Sequence, residues 1–308
     1  MDPADGGRRA AADPVIDIPL TFPEPDFVKT AFKKETSMST PRTALRVGIA
    51  GLGAVGRQLA TVLDAGIPGL TLAAIAVRDE AKARASVTLT GSPVFTDIAS
   101  LASHCDIVVE CAPAALMRDI AVPTLTAGKI LVALSSGALL SNMDLVDLAR
   151  EHHGQIIVPT GALLGLDAVS AAAEGVIHSV TMTTRKPVKG LLGAKYLVDN
   201  NIDIAGITEP MRIFSGTPRE AAVGFAANLN VAVALSLAGI GPDRTKLEVW
   251  ADPNVERNIH RIEVDADSAS FSMEIQNIPT ENPKTGRITA LSVIAALRKL
   301  TAPMRVGT

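Results

Sequence analysis

Aromatic side chains make up only 3% of this 308-residue chain. At that level a surface that grips single-stranded nucleic acid by stacking on its bases has little material. Neither sign of charge is in excess: 29 Lys and Arg stand against 32 Asp and Glu, a formal net charge of −3. Such a balance offers no attraction to nucleic acid or to an anionic membrane, so neither is expected as a partner. Only two cysteines occur, Cys105 and Cys111. They are too sparse for a zinc site, so no metal is expected, and they read as packing thiols of a reducing, cytoplasmic compartment. No apolar run reaches the ~18 residues of a membrane-spanning helix. The N-terminus lacks the basic-then-apolar pattern of a secretory signal. A small metabolite is the ligand class left standing.

What the chain does have is apolar content, 47% of residues, enough for two compact domains. Residues 1–43 stand apart, mixing prolines and charges without periodicity, and read as a flexible tail. Met38, a few residues before the first strand, is an alternative translation start. From Leu45 onward short apolar runs alternate with helical patterns: Leu45–Ala50, Leu70–Val77, Val94-Phe95, Asp106–Cys111, Lys129–Leu134 and Gln155–Val158. Nearly continuous apolar strands separated by helix-length segments predict a parallel sheet covered on both faces, a doubly wound α/β (Rossmann) domain over 44–161. After Gly161 the pattern changes. Val176–Thr184, Pro210–Ser215, Lys246–Ala251, Ile259–Val264 and Ser268–Ile278 read as strands, and Arg219–Ala238 as one long helix. This predicts a C-terminal α+β domain over 162–287, built on a largely antiparallel sheet that serves substrate binding and homo-oligomer contacts. A closing helix over 288–308 is expected to return to the first domain.

Gly51-Leu52-Gly53-Ala54-Val55-Gly56 follows the first strand and opens a helix. Gly51 permits the tight turn, Gly53 lets a pyrophosphate approach the backbone, and Gly56 lets the helix pack on the strand. The helix N-terminus then receives the phosphates. Gly51, Gly53, Ala54, Val55 and Gly56 are therefore the expected contacts of a dinucleotide. At the end of the second strand stands Val77-Arg78-Asp79. Arg78 suits the 2′-phosphate of NADP and Asp79 a free ribose, which predicts dual use or an NADP leaning.

His260 lies in a polar segment leading into a strand, with Asn258 on the same face if that segment is extended. It reads as a catalytic base or as a solvated histidine. His104, His152, His153 and His178 sit in connections, at a helix end or on a strand surface. Asn228 and Asn230 interrupt an apolar helix, where buried amides need partners; a helix–helix hydrogen bond and a ligand contact both satisfy that need. Asn282-Pro283-Lys284-Thr285 reads as a turn or a carboxylate-binding loop, and Arg185-Lys186 as a solvated pair or an acidic-substrate contact.

Taken together, these segments resemble the L-aspartate dehydrogenase family from about Leu45 to Val306. The resemblance is carried by GIAGLGAVGR, PTGALLGLDA (159–168), TTRKP (183–187), the 214–245 stretch with its N-L-N, WADPNVERNIHRIEV (250–264) and ENPKTGRITALSVIAALR (281–298). It implies NAD- or NADP-dependent oxidative deamination of L-aspartate through iminosuccinate to oxaloacetate and ammonia, reversible, with iminosuccinate able to feed pyridine-nucleotide synthesis. It further implies His260 as the catalytic histidine, titrating near its ordinary range, with Ala162 and Asn230 as cofactor contacts. For the two substrate carboxylates Lys284, Arg185 and Asn228 are the candidates. The rivals are another aspartate-pathway dehydrogenase of homoserine or semialdehyde type, and a non-catalytic dinucleotide sensor. An acyl-forming semialdehyde enzyme needs a cysteine nucleophile, for which Cys111 at a strand end is poorly placed.

Overall fold

A computed structural model describes residues 43–225, 229–279 and 286–307. The stretch read as a flexible tail lies outside the described residues, except for Thr43.

The first half follows the alternation in the sequence: β1 (Leu45–Ala50), α1 (Ala54–Ala65), β2 (Leu70–Ala76), α2 (Glu80–Ser86), β3 (Val94–Thr96), α3 (Ile98–His104) and β4 (Ile107–Glu110). Next come α4 (Met117–Thr126), β5 (Ile130–Ala133), α5 (Ser136–Leu139), α6 (Asp144–Glu151) and β6 (Gln155–Ile157). The six strands lie in the order β3-β2-β1-β4-β5-β6, and every neighbouring pair is parallel. The strand order reverses between β1 and β4, which makes that junction the switch point of a doubly wound sheet. Period-two alternation explains the packing. Val47 and Ile49 of β1 join the apolar layer that holds Leu59 and Leu63 of α1. Ala50 faces the opposite layer with Leu101, Ile120 and Leu125. Gly48 is small because α3 comes close: a Cβ there would sit 2.7 Å from the Cys105 sulfur. Cys105 is thus a packing thiol, pushed up to about 11 by burial.

The second half comprises α7 (Leu166–Ala173), β7 (Ile177–Pro187), α8 (Lys195–Asp199), β8 (Met211–Gly216), α9 (Pro218–Ala221) and α10 (Asn230–Ala238). It ends with β9 (Lys246–Asp252), β10 (Asn258–Ala266), β11 (Ser270–Asn277) and α11 (Ile288–Thr301). Its sheet runs β11-β10-β7-β9-β8. Three junctions are antiparallel and one, β7–β9, is parallel. Val169 and Ala172 of α7 and Val233 and Leu235 of α10 cover one face, over Val180, Met182, Leu247 and Ile262. The closing helix α11 buries Val293, Ile294 and Leu297 in the same layer as Leu59 and Leu63 of α1.

Two elements depart from the sequence reading. The strand expected at Val176–Thr184 continues to Pro187, because β9 pairs beside it as far as Pro187 opposite Asp252. The helix expected at Arg219–Ala238 does not form as one piece. Its first turn, α9, is closed by a capping box between Thr217 and Glu220, and α10 starts only at Asn230. The break has a packing cause. A Cβ on Gly224 would lie 2.6 Å from that of Tyr196, and Phe225 stacks on Tyr196 at a centroid distance of 4.8 Å. That aromatic cluster draws the chain off the helical path.

Candidate active site

The glycine turn divides its labour in a way the backbone makes explicit. Gly51 has φ of +96° and a Cβ on it would sit 2.8 Å from the Cys111 carbonyl oxygen, so a left-handed turn is wedged against the end of β4. A Cβ on Gly56 would fall 2.1 Å from the Gly51 carbonyl oxygen. Gly56 is buried there and does not line the cavity, which corrects its assignment as a cofactor contact: it is required for packing. Gly53 is different. A Cβ there would meet no atom within 4 Å, so nothing in the described chain demands glycine at that point. Gly53 is also the N-cap of α1 with no side-chain cap, and no acidic residue lies in the first turn. The N–H groups of that turn are left for an anion. A pyrophosphate fits this cradle.

The turn opens into a cavity of about 1000 Å³. It is lined by Gly51, Gly53, Ala54, Val55 and Arg78, by Glu110, Ser135, Ser136 and Ala162, and by Lys186, Asn230, Asn258, His260 and Asn277. The predicted residues Arg78, Ala162, Asn230 and His260 are thereby brought to one space with the glycine turn. Asp79 is not: its carboxylate accepts from the Lys82 N–H at 2.9 Å and caps α2. Of the substrate candidates, Asn228 and Lys284 lie outside the described residues. Arg185 is absent from the lining, a correction with a simple cause. Strand alternation turns it away from its neighbours Thr184 and Lys186, and it bonds Asp252 at 3.2 Å while its guanidinium lies 5.2 Å from the Trp250 ring centroid.

His260 in β10 pairs across to Thr184 in β7. It is 3% exposed, and its Nδ1 shares a hydrogen bond of 3.1 Å with the Thr184 hydroxyl. Burial, and then the neighbouring Lys186 charge, push its pKa down to about 3. The expectation of an ordinary titration near neutrality is overturned: this imidazole is neutral. Lys186 itself is 6% exposed and burial brings it down to about 8.

Asn230 is held from both sides. Its Oδ1 accepts from the Gly137 N–H at 2.9 Å, and its backbone oxygen accepts from the Ser136 hydroxyl at 2.7 Å. With the oxygen engaged, the amide N–H groups remain for a ligand. Of the two readings open for this residue, the helix–helix hydrogen bond is present.

Two lining residues, Glu110 and Asn277, escaped the sequence reading, and a third, Lys186, was read only as one of a pair with Arg185. Glu110 ends β4 at 1% exposure and accepts from the Leu134 and Ser135 N–H groups at 3.1 and 2.8 Å and from the Ser135 hydroxyl at 3.0 Å. Burial still lifts it to about 7. Its signal was an acidic residue closing the apolar run Ile107-Val108-Val109. Asn277 donates to the Ala162 carbonyl at 2.8 Å, and its Oδ1 is buried without a partner among the described residues. Lys186 could have been found by counting in twos from Thr184. Burial also pushes the Cys111 thiol far up. Such a thiol is a poor nucleophile, against the acyl-forming rival.

A glycine turn at the switch point of a 3-2-1-4-5-6 sheet, sharing its cavity with a histidine from a second sheet, points to the class: a nicotinamide-dependent dehydrogenase. Comparison with known proteins narrows it. Residues 51–159 match the family described as homoserine dehydrogenase, NAD binding domain, and residues 167–300 match aspartate dehydrogenase, C-terminal. An L-aspartate dehydrogenase of Bradyrhizobium diazoefficiens is 61% identical over 270 residues, covering 87% of this chain and 96% of that protein. L-aspartate dehydrogenase 3 of Bordetella bronchiseptica is 56% identical, covering 87% of this chain and 99% of that protein. The chain belongs to the L-aspartate dehydrogenase family. A solved aspartate dehydrogenase from Thermotoga maritima, 21% identical, shares the fold with a TM-score of 0.66 over 85% of this chain and 99% of that one.

Proposed function

We propose that this chain oxidatively deaminates L-aspartate with NAD or NADP, giving oxaloacetate and ammonia through iminosuccinate, and runs in reverse as a reductive amination. The observation that carries the reading is one cavity lined both by the glycine turn of the first sheet and by His260 of the second. In this reading residues 44–161 hold the dinucleotide and 162–287 the amino acid. The match of the second half to the aspartate dehydrogenase model, against a first half whose model bears the homoserine dehydrogenase name, favours aspartate over the homoserine rival.

Gly51, Gly53, Ala54 and Val55 present backbone to the pyrophosphate, and Ala162 and Asn230 meet the nicotinamide half. A bound nicotinamide supplies the hydride acceptor for the substrate Cα. His260 does the proton work. Thr184 occupies Nδ1 and fixes the ring, which leaves Nε2 to take a proton from the substrate ammonium before hydride leaves. A neutral imidazole is the form that can accept this proton, and in this reading the negative charge of a bound dicarboxylate offsets the burial and the Lys186 charge that otherwise disfavour its protonation. Water then adds to the carbon of the C=N bond, the C–N bond breaks, and ammonia departs, with His260 relaying the protons.

Arg78 at the cavity, with Asp79 used as a helix cap, supports dual cofactor use with an NADP leaning. The second sheet has α7 and α10 on one face, while Arg261, Glu263 and Asp265 stand exposed on the other. That open face supports a homodimer built across it. A cytoplasmic enzyme whose iminosuccinate supplies pyridine-nucleotide synthesis completes the reading. The test is a substrate panel followed by nicotinamide absorbance. Aspartate-dependent reduction is expected in the wild type. His260→Ala should keep cofactor affinity and lose at least about 10²-fold in turnover. No absorbance change with aspartate, beside tight cofactor binding, would leave the sensor reading instead.

A further inference from the structure

We infer that Lys186 anchors a carboxylate of the substrate and is the cationic specificity determinant of this cavity, an inference that rests on the aspartate reading above. The placement follows from β7. Thr184 and Lys186 fall on its inner face and Arg185 on its outer face, where Arg185 engages Asp252 and Trp250. Lys186 is 6% exposed yet lines the cavity. Beside its stem lies a small void walled by Leu191, Phe225 and Leu229. The stem is thus packed in apolar surroundings, as long cationic side chains commonly are. Lys186 stands two residues along β7 from Thr184, which pairs with His260 and shares a 3.1 Å hydrogen bond with its ring, and lysine and histidine line the same cavity. The cation therefore stands beside the group that exchanges protons, where the reacting amino acid must lie.

The charges of the other lining residues point the same way. Arg78, Asp97 and Glu110 also line the cavity, but all three belong to the first sheet. Asp97 caps α3 by accepting from the Ser100 N–H at 2.7 Å, and Glu110 holds Leu134 and Ser135. Among the described residues, Lys186 is the one charged lining residue from the second sheet, and burial disfavours a charge on His260. A carboxylate that enters the cavity meets this ammonium at a lower dielectric than at an exposed site, where attraction between opposite charges is weaker. A dianionic side of the substrate meets a cation there that the outward-facing Arg185 does not supply.

The experiment compares wild type with Lys186→Met. Cofactor affinity is read from nicotinamide fluorescence, KM and kcat are read with aspartate, and the unreactive dicarboxylate succinate is titrated into cofactor-loaded enzyme. Cofactor affinity should change by less than about 3-fold, while KM for aspartate and the dissociation constant of succinate both rise about 30-fold or more. Lys186→Arg, which keeps the charge, should recover part of the succinate binding. If the Met variant does not bind cofactor, Lys186→Gln answers the same question. A variant whose kcat falls while KM and succinate binding stay at wild-type values overturns the inference alone, because the lysine would then serve chemistry and not anchoring. A wild type that neither oxidises aspartate nor binds succinate overturns the aspartate reading and takes the inference with it.

Discussion

Alanine at Gly53 and alanine at Gly56 should have opposite signatures, although the residues lie three apart in one turn. At Gly56 the new Cβ would sit 2.1 Å from the Gly51 carbonyl oxygen. Backbone must move, as in any overpacked core, at about 1–3 kcal/mol. For a folded unit of this size that lowers Tm by about 3–10 °C. At Gly53 the backbone is φ −69°, ψ −168°, open to any residue, and the Cβ meets no atom within 4 Å. Removing unfolded-state freedom gains about 0.4–1 kcal/mol, and the weaker N-cap loses a similar amount. Tm should stay within about 2 °C of wild type. The methyl group instead occupies the approach of the pyrophosphate, so cofactor affinity should fall about 10–100-fold, or about 1.4–2.8 kcal/mol. Scanning calorimetry and a fluorescence titration of each variant decide the matter. Wild-type cofactor affinity in Gly53→Ala, or equal Tm losses in both variants, would refute the assignment of the cradle.

Arg78→Ala should cut kcat/KM with NADP by about 10-fold or more and leave that with NAD within about 2-fold, since the guanidinium serves the 2′-phosphate only; steady-state kinetics with both cofactors checks it. Glu110, lifted to about 7 by burial, favours the folded state fully below its unfolded value of 4.5 and loses that contribution as pH rises to 7 and beyond. Glu110→Gln should therefore flatten the stability profile between pH 4.5 and 7, by an amount on the order of 3 kcal/mol, in denaturant titrations across that range. His260 carries the opposite sign. Its depressed pKa means stability is present above 6.5 and lost as pH falls toward 3, so acid unfolding of wild type should ease in His260→Gln over that window.

The first sheet was legible because its central strands are buried on both faces and so write nearly unbroken apolar runs, while Gly51 and Gly56 must be glycine for close backbone contact. His260 and Asn258 could be put on one face because β10 has a period of two. The long helix misled because Arg219–Ala238 is mostly apolar, and periodicity cannot register that Gly224 is pressed against Tyr196. Arg185 was preferred to Lys186 for its chemistry, whereas the phase of β7 decides which of the two faces the cavity. That phase became clear only with the strand's extension to Pro187, which depends on pairing with a β9 some 60 residues away in sequence. Glu110 and Asn277 went unseen for a related reason. Their importance lies in hydrogen bonds to Ser135 and Ala162, partners distant in the chain, and the one local mark is that Glu110 closes an apolar run.

The most direct test of the central claim is the structure of this protein crystallised with oxidised cofactor and succinate. The account predicts pyrophosphate oxygens on the N–H groups after Gly53, and the nicotinamide ring between Asn230 and the imidazole of His260. A ring bound away from His260, with the histidine still sealed against Thr184 and no ligand atom within reach of its Nε2, would contradict it.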